Sequence, residues 1–471
     1  MKEERDPSFE KSGSFPLVER FEKMLAEGGN SFFDVGEFEE IIDHYLDSGK
    51  ITHAFGVLKE AKSQHPTSLD FSLREAELLA ISNKPKEALE VLEKAALFEG
   101  SNPDLYLTKA SIYSQMGAYQ KAIRFLKTAL EFTRNDVDDI YLSLSFEYQN
   151  LEQYKEAVRY LKLALEYNSD NEDAIYEIAY CYDQLEEYED SVQFYLNFID
   201  KHPYSAHAWY NLGNVYSRQN LYEKALEAYD YAVIVKEDFS AAHFNKGNMF
   251  ARLEQYSNAI SCYQETLKFE LFDALTHYYI GECYEKLNDY RNANIYYHKA
   301  VKSDPYMADA WLGIGIVLDC QGRLTEGIHY IKKALELDNE NADYWYTLGE
   351  VEQKLGFIEE AAMAYEKVVE FDSQSDDIWL DYSQMLFDQD RIKEAIDTIE
   401  RGTLAQPQNS VLHYRMAAYL MMKGKENEGL EALDMALELN ANGSADFLEY
   451  LPDGYQNGRV INLIETYKKN S

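Results

Sequence analysis

Residues 208–232 of the 471-residue chain read AWYNLGNVYSRQNLYEKALEAYDYA, and this segment shows most clearly the pattern from which the fold can be predicted. Its glycine, Gly213, is the first of five that recur every 34 residues, the others being Gly247, Gly281, Gly315 and Gly349. A fixed period of this length is typical of an array of helical hairpins, each of which must stack on its neighbours to bury its apolar face. The spacing therefore predicts an all-α chain with one long surface rather than a globular domain around an enclosed pocket.

Small and large residues alternate at fixed positions when each repeat is numbered with Trp209 at position 4. All four tryptophans fall at position 4, position 20 holds only Ala, Ser or Gly, and position 27 is Ala in most copies. Small residues let two helices approach closely, while large residues fill the space between hairpins. One residue, Val137, lies outside this register. The columns predict twelve repeats, which start at Val35, Leu69, Pro103, Asp138, Glu172, Ala206, Ser240, Ala274, Ala308, Ala342, Asp376 and Ser410.

This pattern resembles the tetratricopeptide repeat family over most of the chain. The resemblance implies a right-handed superhelical solenoid of antiparallel helix hairpins, with the first helix of each hairpin lining an inner groove. It divides the chain into residues 1–34, a disordered N-terminus plus a capping helix, residues 35–443, the array, and residues 444–471, a C-terminal capping segment. The capping helices are predicted at Phe15–Leu25 and Arg459–Lys469, because the end hairpins of a solenoid need their apolar faces covered.

The charge of the chain limits its partners. With 84 Asp and Glu against 45 Lys and Arg, the formal net charge is −39, which would repel nucleic-acid phosphates and anionic membranes. The N-terminal MKEERDPSFEKSG has no apolar signal-peptide core, and no apolar run is long enough to cross a membrane. The four cysteines form no CxxC motif, so we predict a cytoplasmic protein with reduced thiols. The acidic surface either keeps the array soluble or attracts a basic partner.

Aromatic residues occupy position 5 in four successive repeats, namely Tyr176, Tyr210, Phe244 and Tyr278. In the family that this chain resembles, positions 2, 5, 6, 9, 12 and 13 line the inner groove. Aromatic rings give a large contact area at low entropic cost, which suits a binding surface. These rings therefore either contact a partner or pack within their own repeats.

Asparagines recur beside them, Asn211 and Asn245 at position 6 and Asn214 and Asn248 at position 9. A side-chain amide can donate to and accept from a peptide unit, so it can hold an extended backbone without recognising side chains. The arrangement is similar to a short asparagine ladder in the repeat portion of O-linked N-acetylglucosamine transferases, although the sequence contains no glycosyltransferase domain. Asn is also ordinary at these positions in generic repeats.

Four cations share position 13, namely Arg218, Arg252, Lys286 and Lys354. In so acidic a chain they could form a stripe that binds carboxylates of a partner. Lys and Arg are, however, also common there in consensus repeats.

The carboxylate clamp of chaperone-binding family members is not predicted here. Asn214 and Asn245 match that clamp. The places where it needs basic residues hold Tyr210, Leu275 and Tyr279.

The sequence contains no HExxH motif, no phosphate-binding glycine loop and no paired Cys site. We therefore predict a non-enzymatic scaffold, without catalytic residues, cofactor or metal, that binds a protein or peptide segment in the groove. One alternative is a non-catalytic accessory subunit of an enzyme such as a glycosyltransferase, and another is an acidic outer surface that binds a basic partner. The sequence predicts neither the identity of the partner nor the oligomeric state.

Overall fold

The computed structural model describes residues 14–27, 31–133, 137–269, 273–451 and 457–470. Within these residues, α-helices alternate with short turns and no strand occurs. Two compact units are present, Met1–Glu237 and Asp238–Ser471. The all-α hairpin architecture predicted from the 34-residue spacing is confirmed, while residues 1–13, part of the segment predicted to be disordered, lie outside the described residues.

The first unit contains one leading helix and six hairpins. Its helices are α1 Ser14–Glu27, α2 Val35–Asp47, α3 Ile51–Gln64, α4 Leu69–Ile81, α5 Pro85–Glu99, α6 Pro103–Gln115, α7 Tyr119–Phe132, α8 Val137–Gln149, α9 Tyr154–Tyr167, α10 Glu172–Gln184, α11 Tyr188–Lys201, α12 Ala206–Arg218 and α13 Tyr222–Val235. Each hairpin pairs an even-numbered helix with the helix that follows it. Val137, which the sequence places outside the register, is the first residue of α8.

The second unit contains six hairpins and two closing helices. Its helices are α14 Ser240–Arg252, α15 Tyr256–Phe269, α16 Ala274–Lys286, α17 Tyr290–Ser303, α18 Ala308–Cys320, α19 Leu324–Leu337, α20 Ala342–Lys354, α21 Ile358–Phe371, α22 Asp376–Asp388, α23 Ile392–Ala405, α24 Ser410–Met422, α25 Glu426–Leu439, α26 Ser444–Glu449 and α27 Gly458–Asn470. Each hairpin in this unit also has an even-numbered first helix. The limits of the array at residues 35 and 443 remain predictions.

Every hairpin turn contains one residue with positive φ, always at position 15 of the repeat. The glycines at this position are Gly49, Gly117, Gly322, Gly356 and Gly424. The remaining hairpins use Asn, Asp or Glu there, as at Asn220 (φ 57°) and Glu254 (φ 58°). A left-handed residue ends the first helix and reverses the chain toward the second, which explains why Gly and Asn are frequent at this point.

The glycines with which the period begins lie at position 8, where the two helices of a hairpin touch. A Cβ atom added to Gly213 would lie 2.5 Å from Cε1 of Tyr229, and one added to Gly247 would lie 2.5 Å from Cε1 of Tyr263. These tyrosines are 1% exposed and occupy position 24. The glycines are therefore close-packing sites that accommodate a buried tyrosine ring.

In several repeats, the ring at position 4 joins the hairpin to the turn before it. In six repeats the ring donates a hydrogen bond to the backbone carbonyl six residues earlier, at 2.6 to 3.1 Å: Tyr106 to Gly100, Trp209 to Pro203, Trp311 to Pro305, Trp345 to Asn339, Trp379 to Ser373, and His413 to Pro407. The same ring packs on the second helix of its own hairpin, since Trp209 stacks on Tyr231 with centroids 4.4 Å apart. The tryptophan column thus closes the seam between successive repeats.

A helix flanks the hairpins at each end of the described chain, α1 before the first hairpin and α27 after the last. On α1, Phe21 packs edge-on against Phe33 at 5.7 Å and Phe38 at 6.1 Å, and all three rings are buried. At the other end, Val460 and Ile464 of α27 join the hydrophobic core formed by α24 and α25. These contacts cover the apolar faces that an end hairpin would otherwise expose.

Candidate partner-binding face

In the first unit, α10 and α12 bring two of the predicted aromatic residues together. Tyr176 and Tyr210 meet edge to face, with ring centroids 6.1 Å apart, and both are half-buried. Burial raises the pKa of Tyr176, so its hydroxyl stays protonated at neutral pH. That hydroxyl lies 2.9 Å from Nδ1 of His207.

His207, at position 2, belongs to this face although sequence reasoning did not select it. Its Nε2 lies 3.0 Å from Oε1 of Glu172. Burial lowers the pKa of His207, and the Glu172 carboxylate opposes that shift. The imidazole therefore anchors Tyr176 as a largely neutral ring.

The predicted asparagines serve mainly inside the hairpins. Asn211 is 2% exposed and donates from Nδ2 to the His207 carbonyl oxygen at 2.9 Å. Asn214 accepts at Oδ1 from the Tyr229 hydroxyl at 2.7 Å, and Asn248 accepts from Tyr263 at the same distance. Three of the four amides are thus engaged with groups of their own hairpin. Since Asn211 is buried, it does not belong to an exposed ladder.

Two of the predicted cations are paired with an acid one repeat earlier. Arg218 forms an ion pair with Asp183, and Nζ of Lys354 lies 2.6 Å from Oδ2 of Asp319. Both acids occupy position 12 of the preceding repeat. These pairs bridge adjacent first helices, so part of the position-13 column stabilises the stack instead of standing open to a partner.

Arg252 and Lys286 differ from that pattern. Their side chains are exposed, and neither forms an ion pair within the part of the chain that the structure describes. Position 12 of the preceding repeat offers no carboxylate to either, being Ser217 before Arg252 and Ala251 before Lys286. The structure therefore separates the four predicted cations into two paired and two available ones.

In the second unit, α14 and α16 carry a cluster of half-buried rings. The Tyr279 centroid lies 5.7 Å from that of Phe244 and 5.4 Å from that of Tyr278, and Tyr279 also stacks on Tyr263 at 5.9 Å. Phe244 and Tyr278 were predicted, whereas Tyr279 at position 6 was missed. Burial raises the pKa of Tyr278 and of Tyr279, which keeps both hydroxyls as donors. We call Phe244, Asn245, Asn248, Arg252, Tyr278, Tyr279 and Lys286 the α14–α16 face.

One carboxylate accompanies this ring cluster. Burial raises the pKa of Glu282, the neighbouring Glu285 and Asp309 raise it further, and Lys286 lowers it. The ionised form of Glu282 is therefore held at an energetic cost. A cation approaching the face would relieve that cost, and an additional carboxylate directly beside Glu282 would increase it.

Other kinds of site find little support in the described residues. They contain no group of three or more His, Cys, Asp or Glu side chains arranged to hold a metal ion, and none of their helices has the length and apolar character needed to span a membrane. Burial raises the pKa of the Cys181 and Cys283 thiols to about 12, which makes both unreactive at neutral pH.

Comparison with protein families gives matches along much of the chain. Models described as tetratricopeptide repeat match residues 79–144, 138–171, 173–205, 206–239, 280–342 and 354–419. Together these ranges cover more than half of the sequence. A comparison with curated proteins finds no match.

Three solved structures are among those to which the chain is similar. YrrB, a TPR protein with an unusual peptide-binding site, is 23% identical, and the match covers 38% of this chain and 93% of YrrB with a TM-score of 0.34. MamA from Desulfovibrio magneticus RS-1 is 24% identical over 36% of this chain and 97% of its own, with a TM-score of 0.35. The APC/C hetero-tetramer Cut9–Hcn1 is 14% identical over 86% of this chain and 92% of the matched chain, with a TM-score of 0.40.

Proposed function

The chain belongs to the tetratricopeptide repeat family, whose arrays act as protein–protein interaction scaffolds, and from this premise we propose that it binds an extended protein segment on the α14–α16 face. The observation that carries the proposal is the half-buried ring cluster flanked by two exposed cations without ion pairs. Rings supply contact area, and cations that form no ion pair in the described part of the chain can bind carboxylates without first breaking one.

The chemistry of this face suggests the composition of the segment. Phe244, Tyr278 and Tyr279 would contact an apolar or aromatic side chain, and Arg252 and Lys286 would bind flanking carboxylates. Asn245 and Asn248 lie on the same helix as Phe244; Asn245 would contact the backbone of the segment, whereas the oxygen of Asn248 is already bound by Tyr263. Glu282 would disfavour a carboxylate placed directly beside it, which restricts how the segment can lie.

In the first unit, Tyr176, Tyr210, Asn214 and Arg218 form a corresponding face on α10 and α12. Its cation is already bound to Asp183, so this face offers rings and hydroxyl groups more than charge. We propose that this face makes apolar contact with a partner and contributes less to charge-based specificity than the α14–α16 face.

A charge-reversal experiment tests the assignment. The double variant Arg252→Glu, Lys286→Glu would be compared with Arg291→Glu, Lys302→Glu, which makes the same change in charge at exposed positions on α17. Tagged full-length chains would capture proteins from native cells, with the captured proteins quantified by mass spectrometry. We expect the α14–α16 variant to lose its main captured protein and the α17 variant to retain it. Equal capture by both variants, with circular dichroism unchanged, would refute the assignment.

The same experiment distinguishes the alternative functions. An acidic surface that binds a basic partner would give capture that falls with modest salt and rises slightly in both variants, since each adds negative charge. An accessory role would be recognised from a catalytic chain among the captured proteins. The net charge of −39 is the observation that favours the acidic-surface alternative.

A further inference from the structure

The second repeat lacks the ring that closes the seam in other repeats. Its position-4 residue is Ser72, where the third and sixth repeats have Tyr106 and Trp209. The Ser72 hydroxyl only reaches back to the Ser68 carbonyl at 3.4 Å, within the first turn of α4. A residue that is large in its neighbours is therefore small here, in the interior of the array.

A hollow of about 680 Å3 opens where the ring would lie. Its wall includes positions 23, 26, 27 and 30 of the second repeat, which are Val91, Lys94, Ala95 and Phe98. These are the positions that rings at position 4 touch elsewhere: Tyr106 stacks on position 23 and position 30 of its repeat, and Trp209 stacks on position 26. The hollow thus matches the contact surface of the missing ring, and its volume lies within the range of ligand pockets.

Apolar surface is exposed in the hollow and beside it. Phe98 is 89% exposed and the adjacent Leu97 is 82% exposed. Ala95 is partly exposed, whereas the alanines at its position in four other repeats of this unit are fully buried: Ala61, Ala129, Ala164 and Ala232. Solvent therefore reaches an alanine position that those four repeats bury.

A hydrogen-bond acceptor also lacks its usual donor. The Pro66 carbonyl lies six residues before Ser72 and corresponds to the Pro203 carbonyl, which accepts from Nε1 of Trp209 at 3.0 Å. Among the described residues, no hydrogen bond to the Pro66 carbonyl is formed. The hollow therefore combines an aromatic stacking surface, Phe98, with an acceptor at a backbone turn.

We propose that this hollow receives the side chain of a tryptophan presented by a partner protein. The indole would stack on Phe98 as Tyr106 stacks on Phe132, whose ring centroids are 5.5 Å apart with planes at 11°. Its N–H would donate to the Pro66 carbonyl as Trp209 donates to Pro203. The chain itself shows what occupies this place, because indoles fill it in four other repeats. The Lys62–Glu75 ion pair forms part of the wall and would border the incoming segment.

The proposal is independent of the α14–α16 face and is tested with a defined probe. The probe is the peptide acetyl-Gly-(5-fluoro-Trp)-Gly-amide, observed by fluorine NMR in the presence of the full-length chain, which contributes no fluorine signal. We expect saturable line broadening with the wild-type chain. Ser72→Trp fills the hollow from within and should weaken binding at least tenfold, whereas Ser72→Ala should leave it unchanged. Phe98→Ala removes the stacking surface and should also weaken binding at least tenfold, without disturbing the fold, because Phe98 is exposed.

Several outcomes would overturn the proposal. One is equal binding by the wild-type, Ser72→Trp and Phe98→Ala chains, and another is no binding by any of them. Concentration-dependent self-association that Ser72→Trp abolishes would assign the hollow to a second copy of the chain. Binding that appears only after residues 1–13 are removed would assign it to that segment instead of to a partner.

Discussion

The hydroxyl of Tyr263 donates to Oδ1 of Asn248 at 2.7 Å, joining the two helices of the α14–α15 hairpin. The tyrosine ring lies against Gly247, the residue that precedes Asn248, so one side chain fills a space at a glycine and also satisfies an amide. The Gly213, Asn214 and Tyr229 trio repeats the arrangement in α12–α13 with the same 2.7 Å distance. Glycine, asparagine and tyrosine at positions 8, 9 and 24 therefore act as one packing unit.

The first prediction concerns the glycine of this unit. Gly247→Ala would place a methyl group 2.5 Å from a ring that is 1% exposed, and we expect a loss of about 1–3 kcal/mol in the stability of that hairpin. Gly56→Ala is the matched control, because it lies in helix α3 with nothing within 4 Å of the added Cβ, and it should stabilise by about 0.5–1 kcal/mol. Amide hydrogen exchange of the two hairpins measures both effects. Equal protection changes in the two variants would contradict the close-packing role.

The second prediction concerns the asparagine. A double-mutant cycle of Asn248→Ala and Tyr263→Phe should give a coupling of about 1 kcal/mol in the local unfolding of α14–α15, because each change removes one side of the same hydrogen bond. Pairing Tyr263→Phe with Ser261→Ala, an exposed position on α15, should give no coupling. A coupling near zero in the first cycle would show that Asn248 does not stabilise the hairpin.

The third prediction concerns the ring at position 4. Trp345→Phe keeps a ring packed against the core but removes the donor to the Asn339 carbonyl, which lies 2.8 Å from the indole nitrogen. We expect the local stability at the α19–α20 turn to fall by about 1 kcal/mol. Tyr306→Phe, at a ring that is 81% exposed, serves as the control and should change nothing. Hydrogen exchange at the α19–α20 turn reports the difference. Unchanged protection in Trp345→Phe would show that the seam is held by packing alone.

The fourth prediction concerns pH. Because the folded-state pKa of Glu282 is raised above its ordinary value of 4.5, its ionisation destabilises the fold at neutral pH, and this penalty disappears as the pH falls toward 4.5. Glu282→Gln should therefore raise the melting temperature at about pH 7.5, by a margin that narrows toward about pH 5. Glu340→Gln, in an exposed turn, should show no such dependence. A margin that widens on acidification would have the wrong sign for this explanation.

Sequence periodicity located the hairpins well, because helix ends depend on local features. Eleven of the twelve predicted repeat starts are first residues of helices, and the twelfth, Asp138, follows Val137 at the start of α8. The turns followed from the left-handed residue at position 15, which favours Gly and Asn but also accepts Glu186 and Glu254. Local preference and packing pattern agree in these elements, so the sequence alone was sufficient to place them.

The face was harder to predict, because a repeat position does not reveal what a side chain contacts. Asn214 and Asn248 occupy position 9, which is expected to line the groove, yet their side-chain oxygens accept hydrogen bonds from tyrosines of the second helix. The sequence does indicate this contact, because Gly, Asn and Tyr occur together at positions 8, 9 and 24 of the same repeat. The indication appears only when these positions are compared with one another within a repeat. Likewise, the pairing of Arg218 with Asp183 depends on position 12 of the preceding repeat, which lies outside the position-13 column of cations.

The hydrogen bond from the position-4 ring to the preceding turn has a mechanical consequence. To separate hairpins of the first unit, a pulling force must break the bonds from Tyr106 to Gly100 and from Trp209 to Pro203 together with the stacked rings. At Ser72 no ring donates to the turn at Pro66, so the first hairpin should separate at a lower force than hairpins whose position-4 ring makes that bond. An indole bound in that hollow would stabilise the junction between the first two hairpins. The first hairpin should therefore resist a pulling force more strongly in the complex than in the free chain.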